Sequence, residues 1–272
     1  AQIRALVGML PANNEDEAYT ECTDNLNRAC PDLANCAGDT GILLSQISDN
    51  GVVFETKKNY AKDMVTAFIR LNGATVGAVA NRSEIYGTDG TLEETFDGTL
   101  SAKGAKKAAA FVKFCDAFGI PVLTITNVKG FKATKCSEKF MAQNVAELTY
   151  AFADATVPKV NVVVGQAYGS AYLAMNSKSI GADMVFAWPN AEIGMMDAKA
   201  AAKIMYADED LATINEKAAE YATLQNNVTS AARRGYVDTI IEPEDTRKYV
   251  IGAFEMLYSK REDRPDRKHG TV

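Results

Sequence analysis

The stretch Val162-Val-Val-Gly-Gln-Ala-Tyr-Gly-Ser-Ala-Tyr-Leu-Ala-Met175 carries the strongest chemical signal in the chain. A Val-rich segment ends at Gly165, the small residues Gly169, Ser170 and Ala171 follow, and a helix is expected from there. The first amides of a helix have no partner inside it. Small side chains let an oxygen come close to them, and the macrodipole favours negative charge. That is the geometry of an oxyanion hole, suited to an enolate or to charge developing on a ureido oxygen. On pattern alone, a tight turn with close helix–strand packing accounts for the same residues.

Two further stretches are candidates. Asn127-Val-Lys-Gly-Phe131 closes an expected strand and precedes a helix, the place where α/β sheets bind ligands, and Gly130 can expose a backbone amide there. An ordinary turn glycine explains it too. Ala187-Trp-Pro-Asn-Ala-Glu-Ile193 holds the only tryptophan, Trp188, and Glu192, whose carboxylate is a candidate acid or base. A helix cap or a solvated side chain is the plainer role for Glu192.

The histidine count eliminates other chemistry. His269, close to the C-terminus, is the only one. A buried Ser-His-Asp triad or a two-histidine metal site has no source for its imidazoles. Ser170 therefore lacks a base, and its surroundings do not form the nucleophile-elbow pattern. The five cysteines, Cys22, Cys30, Cys36, Cys115 and Cys136, are odd in number and include no Cys-x-x-Cys pair. Free thiols in a reducing cytoplasm fit better than a disulfide framework or a zinc site, and no metal is expected.

Composition sets the class. The chain has 272 residues, 47% hydrophobic and 24% charged, which suits an ordinary globular protein with a substantial core. A net charge of −6 offers no nucleic-acid surface. No apolar run is long enough to span a membrane. The start has neither a signal-peptide pattern nor an initiator Met, which fits processing or a piece of a longer chain.

The elements that must position these residues follow from periodicity. Residues 1–40 are polar and punctuated by Pro and Asn, and read as a short amphipathic start and an extended arm that leans on another domain or subunit. Residues 41–47 suggest a helix. Two apolar runs, 64–71 and 74–81, flank Asn72-Gly73, a strong hairpin signal because both turn residues tolerate positive φ. Residues 82–100 read as a loop. Strand and helix then alternate: helix 102–118, strand 121–128, helix 138–155, strand 159–165, helix 171–178, strand 183–188, helices 198–206 and 211–224, strand 237–241, and helix 245–260. That alternation predicts an α/β fold with right-handed crossovers and mostly parallel sheets flanked by helices. The charged tail, 260–269, is expected to be solvated.

Several motifs resemble, in order, the carboxyltransferase family of biotin-dependent acyl-CoA carboxylases and decarboxylases (acetyl-CoA, propionyl-CoA, methylmalonyl-CoA). They are Lys106-Lys-Ala-Ala-Ala-Phe-Val-Lys-Phe-Cys-Asp-Ala-Phe-Gly-Ile-Pro121, Ala155-Thr-Val-Pro-Lys159, Ala167-Tyr-Gly-Ser-Ala-Tyr172, Gly181-Ala-Asp-Met-Val-Phe-Ala-Trp-Pro-Asn-Ala-Glu-Ile193, Ala231-Ala-Arg-Arg-Gly-Tyr-Val-Asp238, Pro243-Glu-Asp-Thr-Arg247 and Lys268-His-Gly270. Leu10-Pro-Ala-Asn-Asn14 is similar to the family's interdomain linker. The sequence departs from the family at Asn127-Val-Lys-Gly-Phe-Lys-Ala-Thr134, and Ser170 stands where a second glycine is usual.

The resemblance implies a crotonase-like domain over 41–272, the C-terminal half of a carboxyltransferase, with 1–40 as linker and arm. It implies transfer of a carboxyl group between carboxybiotin and an acyl-CoA. This half supplies the biotin side: Gly169, Ser170 and Ala171 as catalytic backbone donors, and Gly130, Phe131, Tyr168, Trp188 and Glu192 facing biotin. The implied partners are an N-terminal carboxyltransferase half, a biotin carboxyl carrier, a biotin carboxylase, a membrane decarboxylase subunit in a sodium-pump branch, and further copies in a homo-oligomer. A crotonase-type acyl-CoA hydratase or isomerase and a non-catalytic carrier-docking module are the alternatives.

Overall fold

The computed structural model describes residues 2–13 and 15–263. Asn14, His269 with its Lys268–Gly270 motif, and most of the charged tail lie outside the described residues. The elements, in chain order, are α1 (Gln2–Val7), α2 (Thr40–Ile47), β1 (Val53–Thr56), β2 (Met64–Leu71), β3 (Ala74–Asn81), β4 (Glu84–Tyr86), β5 (Leu92–Thr95), α3 (Ala102–Ala117), β6 (Val122–Val128), α4 (Lys135–Asp154), β7 (Lys159–Tyr168), α5 (Gly169–Ala174), β8 (Met184–Ala187), β9 (Glu192–Gly194), α6 (Ala198–Met205), α7 (Leu211–Tyr221), α8 (Val228–Arg233), β10 (Thr239–Ile240) and α9 (Thr246–Met256).

The main sheet runs β1-β2-β3-β6-β7-β8-β10, with β9 added to β7. Its first three strands are antiparallel and the rest parallel. The β2–β3 turn is the expected hairpin: Asn72 has φ 49° and Gly73 φ 78°. Both faces of the sheet are covered, so β2 and the first six residues of β7 are buried throughout. One face packs Met64, Phe68, Val79 and Val163 against α3, α4 and α5. The other packs Val65, Ala67, Ile69 and Val162 against α2, α9 and the arm. Each fully buried Val, Leu or Phe contributes about 1.5–3 kcal/mol.

Local chemistry explains the helix ends. Ser101 caps α3 by accepting from the Gly104 amide at 3.0 Å, and Gly119, at φ 66°, follows its end. Alanines let α3 lie close to the sheet. At Gly77 in β3 even a Cβ has no room, since it would stand 2.5 Å from the Cys115 sulfur. Lys107, in the same helix, is buried and donates to the carbonyls of Tyr60 (2.9 Å), Ala61 (3.4 Å) and Met64 (2.7 Å).

Several expected boundaries are corrected. Residues 82–100 are not all loop, because β4 and β5 pair as a short hairpin. Strands β1 and β9 arise where none was expected. Helix α4 begins at Lys135, because Thr134 accepts from the Ser137 amide at 3.2 Å. Helix α5 ends at Ala174, and Asn176 takes φ 54° just beyond it. Helix α9 ends at Met256.

The arm packs on this chain's own domain. The Thr20 amide donates to the Gly73 carbonyl, and the Thr75 amide to the Ala18 carbonyl, across the β2–β3 turn. Cys30 and Leu33 enter the core. Arg247, fully buried in α9, clamps the arm: it donates to Asn25 O (3.3 Å), Ile47 O (2.5 Å) and Asp49 (2.7 Å), and lies 3.5 Å from Asp24.

Candidate functional site

Parallel pairing of β6 with β7 places Val128 beside Ala167. The segments that follow, Gly130–Phe131 and Gly169–Ala171, therefore emerge together at the carboxyl end of the sheet. Strand β7 does not stop at Gly165 but continues to Tyr168. The Asn127 side chain lies across it, accepting from the Gln166 amide at 3.0 Å, and a Cβ on Gly165 would stand 2.6 Å from that carboxamide oxygen. Gly165 is thus a close approach between strands rather than a stop.

Helix α5 opens directly from β7. Gly169 has φ +59°, and a Cβ there would stand 2.9 Å from the Met195 carbonyl oxygen. Only glycine meets both demands. Ser170, which has no positive φ, is exposed, and its side chain costs nothing at the turn. Tyr168 is the N-cap but makes no side-chain bond to the first amides. At Gly130, φ is +152° and nothing lies within 4 Å of the place a Cβ would take, while its carbonyl accepts from the Leu100 amide at 2.8 Å.

Tyr168 and Glu192 come together through the pairing of β9 with β7, which sets Gln166 beside Glu192. Tyr168 is 2% exposed, and its hydroxyl donates to the Glu192 carboxylate at the surface. Burial, then the Glu192 carboxylate, push the phenol well above its usual range, so it remains a proton donor.

Trp188 does not join this group. It is fully buried in the core on the α2–α9 side, and its indole N–H donates to Thr246 at 2.9 Å. Phe131 stays at the surface, 38% exposed. The structure therefore sets Tyr168, with Glu192 bonded to it, directly before Gly169, Ser170 and Ala171, leaves Gly130 and Phe131 just past the end of the neighbouring strand, and sets Trp188 apart. Asn127, the first residue of the second candidate stretch, also shapes the site through its carboxamide, as do Gly194 and Asn226, which drew no notice in the sequence.

Residues 1–272 of this chain match the carboxyl transferase domain family. The chain belongs to the carboxyl transferase family. It is 39% identical to the methylmalonyl-CoA decarboxylase subunit alpha of Propionigenium modestum, over 99% of this chain and 53% of that protein. It is 38% identical to the methylmalonyl-CoA carboxyltransferase 12S subunit of Propionibacterium freudenreichii subsp. shermanii, over 98% of this chain and 52% of that one. A crystal structure of a transcarboxylase 12S hexamer, with hydrolysed methylmalonyl-coenzyme A bound, superposes with a TM-score of 0.90 at 36% identity, covering 99% of this chain and 53% of that chain. The P. aeruginosa geranyl-CoA carboxylase beta subunit, at 22% identity and a TM-score of 0.72, shares the fold over 98% of this chain and 52% of its own. The chain spans about half the length of these relatives.

The carboxyl transferase fold is thus the crotonase-like α/β arrangement that the motifs implied. Within it, the first amides of α5 follow directly from β7 and receive no side-chain cap. Such an arrangement can hold negative charge on an oxygen without any side-chain nucleophile. No helix among the described residues is long and apolar enough to cross a membrane.

Proposed function

We propose that this chain provides the biotin-side half of a carboxyl-transfer site, moving a carboxyl group between a biotin borne by a carrier partner and an acyl-CoA. The observation that carries it is the opening of α5, where Gly169 takes φ +59° beneath Met195 and leaves the following amides uncapped. Biotin, when bound, supplies a ureido ring whose nitrogen carries and releases the carboxyl group. The residues present suit it: there is free space at the Cβ position of Gly130, and the first turn of α5 is made of small residues.

The chain's own part is electrostatic. The amides of Ser170 and Ala171 hold negative charge on an oxygen, fixed in place before reaction. Glu192, tethered by Tyr168, presents a hydrogen-bond acceptor at the rim. Gly130 and Phe131 border the opposite side. No proton relay through histidine is needed.

The relatives' names support an acyl-CoA with a small α-carboxylated acyl group, methylmalonyl-CoA foremost. The missing half of the relatives' length is then the acyl-CoA side, and biotin carboxyl carrier, biotin carboxylase or a membrane decarboxylase subunit are the partners of the assembled oligomer. The test is carboxyl transfer to free biotin by the complete enzyme, with methylmalonyl-CoA and malonyl-CoA as donors. Transfer with a donor preference is expected. A folded, complete enzyme that hydrates crotonyl-CoA and transfers nothing would overturn this reading.

A further inference from the structure

Asn226 closes a π-helical turn, Ala222–Asn226, and is 1% exposed. Its Nδ2 donates to the Met196 carbonyl at 3.0 Å, while its Oδ1 has no hydrogen-bond partner among the described residues. The carboxamide sits so close to Gly194 that a Cβ on that glycine has no room. The loop it grips, Gly194 to Met196, connects the two halves of the site. It begins just after Glu192 and carries the Met195 oxygen that stands over Gly169.

A buried acceptor left unpaired is costly, and an apolar side chain filling the same space would avoid that cost. What the carboxamide adds is its donor to Met196. We propose that Asn226 is a positioning residue, whose bond to Met196 fixes the 194–196 loop so that the Gly169 turn and Glu192 keep their relative places during carboxyl transfer. The catalytic half of this inference rests on the function proposed above; the hold on the loop does not.

The experiment compares wild type with Asn226→Ala, Gly194→Ala and the double variant, each in the complete enzyme. It reads kcat and KM for transfer from methylmalonyl-CoA to free biotin, thermal stability, and amide hydrogen exchange of peptides covering 167–172 and 192–197. Asn226→Ala should lower kcat about 10–100-fold with KM for the acyl-CoA unchanged, the cost of a misplaced site. Exchange in both peptides should rise about tenfold, as for one lost hydrogen bond. Gly194→Ala should do the same by collision. The double variant removes the collision and should regain thermal stability, yet neither kcat nor protection, because the donor to Met196 is gone. A double variant that regains all three shows Asn226 to be a space filler and overturns the proposal, as does Asn226→Ala with unchanged kcat and exchange. If wild type itself transfers no carboxyl group, the proposed function falls, while the exchange comparison still decides whether Asn226 holds the loop.

Discussion

The Met195 carbonyl oxygen stands 2.9 Å from the point that a Cβ on Gly169 would occupy, and Gly169 has φ +59°. Glycine is required there twice over, by conformation and by contact. Gly169→Ala must push the 194–196 loop away or rotate the first turn of α5. Carboxyl-transfer kcat should fall about 100-fold or more, as when an oxyanion donor is lost, with the circular dichroism spectrum unchanged. Steady-state kinetics on the folded variant check it, and a wild-type rate would remove the opening of α5 from the site.

Ala171 is the third residue of α5, where the N–H has no acceptor inside the helix. Ala171→Pro deletes that donor without cutting an intrahelical bond. The expected loss in kcat is about 100–1,000-fold. Transition-state stabilisation, not binding, is removed, so KM for the acyl-CoA should hold. Equal losses in binding and turnover would point to misfolding of the turn instead.

Trp188 is fully buried on the α2–α9 side and bonded to Thr246. Trp188→Phe loses that bond and part of the packed volume, and should cost about 2 kcal/mol of stability. Urea denaturation should show the lower midpoint, while kcat stays near wild type. A variant of normal stability but poor turnover would return Trp188 to the biotin site.

Asp24 accepts from Arg28 at 3.0 Å and lies 3.5 Å from Arg247. The Arg28 bond foremost, then the Asn50 amide and the Arg247 charge, hold its pKa at about 2, below the usual 3.8. A folded-state pKa below the unfolded one gives stability that is complete above about pH 4 and lost as pH falls through 2. The amount is about 2 kcal/mol. Denaturation of wild type and Asp24→Asn should differ most at pH 6 and converge near pH 2. A gap that does not narrow with acid would mean the Asp24 charge has no part in clamping the arm.

Much of the fold was legible because its signals are local. Asn72-Gly73 demanded positive φ at both places, and the turn has it. The alternation of apolar segments from 102 onward marked the parallel core, since each period reflects burial of a neighbouring stretch. The short run Gly169-Ser170-Ala171 marked a helix opening that accepts close approach. Less was legible at 82–100, whose Gly-, Thr- and acid-rich composition resembles a loop although β4 and β5 pair within it. Gly165 looked like a strand end because the Asn127 carboxamide that requires a glycine there arrives from another strand.

What the sequence by itself determined is the class of fold, the place of the helix opening after the Val-rich strand, and a chain with a single histidine, near its C-terminal end. The tertiary structure alone decided which residues share the site. Strand parity sends Phe186 and Trp188 to one face and Val185 and Ala187 to the other. Which face belongs to α5 depends on crossovers between distant segments. The same holds for Asn226, whose partners Gly194 and Met196 are brought to it by the folding of α6 and α7 between them. Local propensity is written between neighbours along the chain, whereas a buried side chain's partners are set by packing across it.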